Sequence, residues 1–271
     1  MKNLFKSLSK TLLVTAVASI ASVSFANGLP FTVEEGSVPG SGANPVTATR
    51  INFDHSETIT SGGLAALGGT GLFSESGFLT FTGFLNNGVT QLTQLNGFGA
   101  SGYKLYGLFN FNGTIGTDGS GGILYFPTSP ASISLYLDPN VNTTLTLPGS
   151  GNGSVTRGNI GDDVLLGTAT NLSAAQGHIF PGLANGDFEG IFSDWMLTPA
   201  GSAYFVAPNP FHMVIDFNGN LTQVTGASAG PFTGTINGSG NAFFNGKVPA
   251  PGVVILLGMG LAALGFSRRK Q

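Results

Sequence analysis

The chain has 271 residues, of which 43 are glycine, 22 are phenylalanine and none is cysteine, and only 8% are charged. Because 41% of the residues are apolar, the chain can bury a sizeable core, which excludes general disorder. The lack of cysteine excludes disulfides, cysteine–zinc sites and thiol nucleophiles, and three histidines leave little material for acid–base chemistry. The composition argues against most enzyme classes, and we expect neither enzymatic activity nor a tightly bound cofactor.

The charged residues are unevenly distributed along the chain. Basic residues cluster in the first ten and the last four positions, whereas all thirteen acidic residues lie between these clusters. Residues 27–247 hold four basic and thirteen acidic residues, a formal charge of −9. An acidic body without a basic patch repels nucleic acid, so we exclude nucleic-acid binding.

The first 26 residues have the layout of a secretory signal. Three lysines precede the apolar run 11–23, and Ser24-Phe25-Ala26 supplies the small residues that signal peptidase selects before its cleavage site. The alternative, an N-terminal membrane helix, is disfavoured by the shortness of the apolar run. We expect residues 1–26 to be a signal peptide that signal peptidase removes after Ala26, so that the protein is exported.

Residues 248–271 form a second apolar terminus. The apolar run 252–266 is about 22 Å long as a helix, and with residues 248–251 and Ser267 it approaches the ~30 Å of a bilayer core. The basic residues that follow, Arg268, Arg269 and Lys270, favour a cytoplasmic end. We therefore expect a transmembrane helix at about 252–266, with a buried core helix as the alternative.

The motif that precedes this helix is Pro249-Ala250-Pro251. Together with the helix and the basic tail 268–270, it resembles the PEP-CTERM sorting signal of Gram-negative bacteria, although Ala250 replaces the motif's glutamate. The resemblance implies recognition by exosortase, a membrane transpeptidase-like enzyme. It also implies transient anchoring in the inner membrane, then release to the cell surface or the extracellular matrix.

Between the two termini, residues 27–247 read as one strand-built domain. Short apolar or alternating runs rich in Thr, Phe, Tyr, Val and Ile are separated by Gly, Asn, Pro and Ser clusters. These runs are 78–85, 103–111, 132–137, 164–168, 191–198, 213–217 and 232–236. The pattern predicts an all-β fold, a single β-sandwich, with a hairpin at Asn218-Gly219. A division into two domains at 149–153 is the less favoured alternative.

Two glycine-rich segments match motifs of enzymes. Residues 97–102 match a dinucleotide-binding pattern, but a strand-like run follows where a helix is needed to hold the pyrophosphate. Residues 226–230, around Ser228, match a nucleophile elbow, but Pro231 and the residues after it do not begin a helix. We interpret both segments as turns.

Two acidic loops resemble calcium-binding segments. Residues 158–165, which include Asp162 and Asp163, are close to one calcium-binding nonapeptide of β-roll proteins, but a single copy lacks half of the ligands. Residues 138–142, which begin with Asp138, place oxygen ligands at alternate positions, as calcium loops do, but lack the glycine and glutamate of an EF-hand. An Asx-type turn is the simpler account of the second loop. The three aspartates are therefore weak calcium candidates.

Trp195 lies in an acidic segment that also contains Asp187, Glu189 and Asp194. Paired carboxylates there could serve glycoside chemistry, but acidic residues on an outward strand face need no catalysis. Trp195 and Asp194 are instead our candidates for a carbohydrate-contacting surface. We expect each of the three histidines to be a hydrogen-bonded structural residue.

Longer blocks of the body carry a second resemblance. Residues 31–40, 106–109, 135–140 and 207–211 are similar to blocks of the flocculation-associated PEP-CTERM protein family. This resemblance implies an exported protein that, with exopolysaccharide, makes cells aggregate into flocs, and it brings no catalytic residues. We expect a matrix protein that promotes floc formation or retains exopolysaccharide. The alternatives are a surface structural protein without glycan contact and, less favoured, a secreted hydrolase.

Overall fold

The computed structural model describes residues 29–63, 71–96, 102–182, 185–192, 194–208, 214–216, 221–228 and 230–243. These residues belong to one compact unit, Gly28–Gly246. The predicted signal peptide 1–26 and sorting signal 248–271 lie outside the described residues. In the ranges described, no helix has the length and apolar character needed to cross a membrane.

The described chain consists mostly of strands, which confirms the prediction of an all-β body. The strands are β1 (Phe31–Glu34), β2 (Pro45–Ala48), β3 (Arg50–Ser61), β4 (Gly71–Asn86), β5 (Val89–Thr90), β6 (Lys104–Thr117), β7 (Ile123–Asp138), β8 (Thr144–Thr146), β9 (Thr156–Gly158), β10 (Val164–Ala169), β11 (Leu172–Ile179), β12 (Gly186–Phe192), β13 (Met196–Leu197), β14 (Phe205–Ala207), β15 (Val214–Asp216), β16 (Leu221–Thr225) and β17 (Phe232–Phe243). The described residues also form a 3-10 helix, Glu35–Ser37, after β1, and a short α-helix, α1 (Pro199–Tyr204), after β13.

Twelve strands form one continuous sheet in the order β11-β12-β16-β17-β3-β4-β6-β7-β10-β13. β5 and β15 pair with β4 and β17. β7 also pairs with β11 through residues 123–125, so the hydrogen-bonded path returns on itself around one core. A β-sandwich predicts two stacked sheets. In the structure the 16-residue β7 pairs with β11 near one end and with β10 near the other, so these strands all belong to one sheet. Smaller sheets, β14-β1-β2 and β8-β9, complete the fold.

The interior is built from aromatic side chains packed against inward-facing glycines. The Tyr125 ring stacks on Phe188 and lies edge-on to Phe73. A Cβ atom added to Gly177 would lie 2.0 Å from the Tyr125 ring, so only glycine fits opposite it. The high glycine content therefore has a packing role: it makes room for rings in a close-packed interior.

The runs predicted at 103–111, 132–137 and 164–168 lie within or almost within β6, β7 and β10. Asn218-Gly219 lies outside the described residues, but the strands on either side of it do not pair with each other as the predicted hairpin requires. β15 pairs with residues 241–243 of β17 and β16 pairs with residues 235–238, so both strands run in the same direction along one edge of β17. The edge of β17 with which both strands pair cannot be seen in a dipeptide.

Candidate functional site

The two calcium-like loops of the sequence meet at one end of the main sheet. β7 ends at Asp138 and β10 begins at Val164, and the strands pair antiparallel with Val164 opposite Leu137. This register brings Asp138 next to Asp162 and Asp163. One carboxylate oxygen from each of the three residues lies within 4.8 Å of the others. We call these three residues the acidic cluster.

Asp138 is fully buried, and backbone groups hold its carboxylate. Its Oδ1 accepts hydrogen bonds from the N–H groups of Asn140 at 3.2 Å and Asn142 at 3.3 Å. Its Oδ2 accepts one from the N–H group of Thr143 at 2.8 Å. The predicted Asx-type turn is therefore present. Its donors compensate the charge of a carboxylate that is withdrawn from water.

Side chains of the turn that follows Asp138 also hold the carboxylate of Asp162. The Asn140 amide donates to its Oδ2 at 2.8 Å, and the Asn142 amide donates to its Oδ1 at 3.3 Å. Asn140 and Asn142 therefore contact Asp138 through their backbone and Asp162 through their side chains. This double use fixes the two carboxylates relative to each other.

Asp163 faces a small polar and aromatic network. Its Oδ1 accepts from the Thr143 hydroxyl at 2.6 Å, and its Oδ2 accepts from the Tyr106 hydroxyl. Arg157 donates to the Tyr106 hydroxyl at 3.1 Å, and its Nη1 lies 3.9 Å from Asp163. The guanidinium also lies 4.3 Å from the centre of the Tyr136 ring. Burial, together with the hydrogen bond to Asp163, raises the pKa of Tyr106.

The acidic cluster has the chemistry of a hard-cation site. Calcium binds oxygen ligands at about 2.3–2.6 Å, so ligands on opposite sides of an ion lie up to about 5 Å apart, and the 4.8 Å spacing fits this limit. Arg157 is one cation beside three carboxylates, which leaves excess negative charge. Each carboxylate has further lone pairs, and the partly exposed Asp162 leaves room for water or an external carboxylate.

The structure also contains a group of titratable residues that the sequence analysis missed. His55 and Glu57 on β3 and Glu75 on β4 point into the core, each at most 3% exposed. His55 Nδ1 lies 3.1 Å from Glu57 Oε2, and Glu57 and Glu75 share a side-chain hydrogen bond. Within the described ranges, Glu75 Oε2 and the Tyr125 hydroxyl have no hydrogen-bond partner. We call His55, Glu57 and Glu75 the buried His–Glu cluster.

Burial governs protonation in the buried His–Glu cluster. Desolvation lowers the pKa of His55 to about 4 and raises the pKa of Glu57 to about 8. Desolvation and the nearby charge of Glu57 raise the pKa of Glu75 well above its ordinary value. At neutral pH the cluster is therefore uncharged, with a neutral imidazole and protonated carboxyl groups.

Strand alternation could have revealed the buried His–Glu cluster. Phe53, His55, Glu57 and Ile59 occupy alternate positions of β3, and all four are buried. Two polar residues in phase with two apolar ones indicate polar groups on the core face. The prediction that histidines are hydrogen-bonded structural residues is confirmed for His55. It is also confirmed for His178, whose Nε2 lies 3.0 Å from Asp118. His212 lies outside the described residues.

The predicted carbohydrate-contacting residues lie in a separate part of the chain. Asp194 accepts hydrogen bonds from the Thr170 N–H group and hydroxyl and from the Asn171 N–H group, at 2.8–3.0 Å. Although desolvation acts to raise it, these bonds lower the pKa of Asp194. Trp195 packs edge-on to Phe192, with ring centres 6.4 Å apart. Both side chains thus have structural contacts, and their role in carbohydrate contact stays a prediction.

The enzyme-like motifs lie beside strands. Residues 226–230 connect β16 to β17, so a strand follows Ser228 where a nucleophile elbow has a helix. Residues 97–101 lie outside the described residues, and β6 follows them. The described chain is thus an all-β protein with a candidate hard-cation site. Comparisons with protein-family models, with curated proteins and with solved structures give no match.

Proposed function

We propose that the chain is an exported, non-enzymatic surface or matrix protein that retains acidic exopolysaccharide through a divalent cation, calcium in the first place. It thereby promotes aggregation of the cells that secrete it. The observation that carries this proposal is that one carboxylate oxygen each of Asp138, Asp162 and Asp163 lies within 4.8 Å of the others. A site made only of oxygen ligands selects hard cations such as calcium and magnesium.

The mechanism is cation bridging. The buried Asp138 and the Asp163 carboxylate, which is only 3% exposed, supply rigid ligands, and the partly exposed Asp162 faces the approach from solvent. A calcium ion needs six to eight oxygens, more than three carboxylates supply at one oxygen each. Water and a carboxylate of an acidic sugar complete its coordination. The protein and the polysaccharide, both negatively charged, are then joined by the ion that each of them binds.

The termini of the sequence support the exported location. A signal peptide cleaved by signal peptidase after Ala26 delivers the body across the inner membrane. The helix at about 252–266 anchors it there until exosortase processes the segment at Pro249-Ala250-Pro251. The body then reaches the cell surface or the matrix. The resemblance to flocculation-associated proteins agrees with this role.

The test is co-sedimentation of the purified full-length chain with alginate, an acidic polysaccharide, in millimolar calcium and in EGTA. We expect sedimentation in calcium, its loss in EGTA and at least a tenfold weaker interaction for Asp162→Asn. Asp54→Asn is the matched control, because Asp54 is an exposed carboxylate outside the cluster, and it should behave as the wild type. Binding that chelation and Asp162→Asn both leave unchanged would refute the proposal.

A second candidate is a surface structural protein without glycan contact. The observation that favours it is that every carboxylate of the acidic cluster already accepts hydrogen bonds from neighbouring residues. The cluster would then only clamp the loops after β7 and before β10. In this case the chain stays in the supernatant with and without calcium.

A further inference from the structure

An uncharged groove of about 460 Å³ lies on the outward face of β3, β4, β6 and β7. Thr60, Ser74, Asn112 and Thr128 stand side by side across these four strands and line it. Thr128 precedes Asp138 by ten residues on β7, which at about 3.3 Å per residue is roughly 30 Å along the strand. The groove is therefore a site separate from the acidic cluster.

The loop at residues 148–153 packs on β3 and β4 next to residues that line the groove. The Gly151 N–H group donates to the Thr60 hydroxyl at 2.9 Å, and the Thr58 hydroxyl donates to the Pro148 carbonyl at 2.9 Å. A Cβ atom on Gly151 would lie 1.9 Å from the Ser74 carbonyl oxygen, so the loop packs directly on the sheet. The loop is thus part of the folded body, and the segment 149–153 is not a linker.

The groove combines unused polar groups with exposed apolar ones. In the described part of the chain, no other residue hydrogen-bonds the side chains of Ser74, Asn112 and Thr114. The next row across the sheet has Leu72, Thr114 and Phe126 side by side, and Leu72 and Phe126 are 69% and 41% exposed. Hydroxyl and amide groups therefore stand beside an apolar surface, and no lining residue is charged.

We propose that this groove binds a neutral hexose segment of a polysaccharide. Hydroxyl and amide groups exchange hydrogen bonds with sugar hydroxyls, and the apolar faces of sugar rings pack on Leu72 and Phe126. The volume lies within the ~300–1,000 Å³ of small-ligand sites. The absence of charge disfavours uronates and charged peptides, which lose hydration without gaining an ionic partner. The inference rests on the proposed function, because it adds a second polysaccharide contact to the same protein.

The test is calorimetric titration of the full-length chain with cellohexaose and maltohexaose in EGTA, so that cation bridging is absent. Saturation-transfer NMR reports which sugar protons contact the protein. We expect binding of at least one hexasaccharide. Asn112→Ala and Ser74→Ala should each weaken it about five- to tenfold. Asn110→Ala, an outward asparagine of the same strand that does not line the groove, should change it less than twofold.

Oligogalacturonate in calcium separates this inference from the proposed function. We expect Asp162→Asn to lose oligogalacturonate and keep the neutral hexasaccharide, and Asn112→Ala to do the reverse. Neutral binding without calcium-dependent uronate binding supports the groove and refutes cation bridging. If neither hexasaccharide binds, or if binding is unaffected by both Asn112→Ala and Ser74→Ala, the groove assignment is overturned.

Discussion

The protein gathers carboxyl groups in two places, and their surroundings differ. In the acidic cluster, Asp138 accepts three backbone hydrogen bonds, and each of the other aspartates accepts two from side chains. In the buried His–Glu cluster, Glu57 and Glu75 face each other and one histidine, and Glu75 Oε2 lacks a partner among the described residues. Hydrogen-bond donors compensate carboxylate charge, whereas burial without donors forces proton uptake. The number of hydrogen-bond donors around a group of carboxyl groups therefore decides whether the group stays ionised and can bind a cation.

The largest expected effect is the pH dependence of folding. Glu57 has a folded pKa of about 8, so it keeps its proton in the folded body while the unfolded chain releases it. The free energy of unfolding should therefore fall as the pH rises from 6.5 to 8, by about 2 kcal/mol for Glu57, and Glu75 acts in the same direction. Urea unfolding at both pH values measures the loss. A body equally stable at both would contradict it.

Above pH 6.5 the change of unfolding free energy with pH comes mainly from the carboxyl groups and not from His55. Below pH 6.5 the unfolded chain gains a proton on this histidine, but the folded body does not until about pH 4, because burial lowers the pKa of His55. This uptake lowers stability as the pH falls, so it opposes the gain from the carboxyl groups in that range. Stability should thus change less with pH below 6.5 than above it.

The next effect separates the two clusters by substitution. Glu75→Gln keeps the shape of the protonated side chain but removes the proton that the unfolded chain releases. The slope of unfolding free energy against pH should become shallower by about 1.4 kcal/mol per pH unit, the contribution of one proton, and stability at pH 8 should rise. The exposed Asp54→Asn serves as the control and should leave the slope as it is. An unchanged slope in Glu75→Gln would show that Glu75 is not protonated in the fold.

Calcium should stabilise the body through the acidic cluster alone. Extracellular calcium modules bind with dissociation constants of about 10⁻⁴–10⁻³ M, and calcium at ten times that value adds about 1.4 kcal/mol. For a body of this size the melting temperature should rise by about 3–6 °C. Scanning calorimetry should find this rise in the wild type and in Glu75→Gln, but not in Asp162→Asn. Equal rises in all three would place the calcium elsewhere.

The smallest effect concerns the donors around Asp162. Asn140→Ala removes one exposed hydrogen bond to this carboxylate, which should cost about 0.5 kcal/mol without calcium. It also frees an oxygen for the ion, so calcium affinity should stay equal or rise. Denaturant unfolding and calcium titration of Asn140→Ala and of the control Asn110→Ala test both points. Loss of calcium binding in Asn140→Ala would mean that its amide is part of the site.

Composition and alternation were enough to predict the all-β body, because the Thr- and Phe-rich runs of β6 and β7 carry their own strand preference. They were not enough to predict which edges pair. Asn218-Gly219 predicts a hairpin between the strands on either side of it. These strands, β15 and β16, instead both pair antiparallel with β17. Strand pairing joins residues far apart in the chain, and a local pattern contains no information about its partner.

The candidate site shows the same limit. Each calcium-like loop is visible in the sequence, and each has too few ligands to bind an ion alone. The pairing of β7 with β10 supplies the missing half, since it places Asp138 beside Asp162 and Asp163. The buried His–Glu cluster was missed because Glu57 and Glu75 lie on different strands. Only the alternation of β3 hinted that its polar residues face inward.

Direct calcium titration of the purified full-length chain by calorimetry tests most simply whether the acidic cluster, and not the buried His–Glu cluster, binds a cation. We expect one ion per chain in the wild type, the same ion in Glu75→Gln, and no binding at millimolar calcium in Asp162→Asn. If the wild type takes up no calcium, or if Asp162→Asn takes up as much as the wild type, then the three aspartates only fasten two loops together and the proposed bridge to polysaccharide fails.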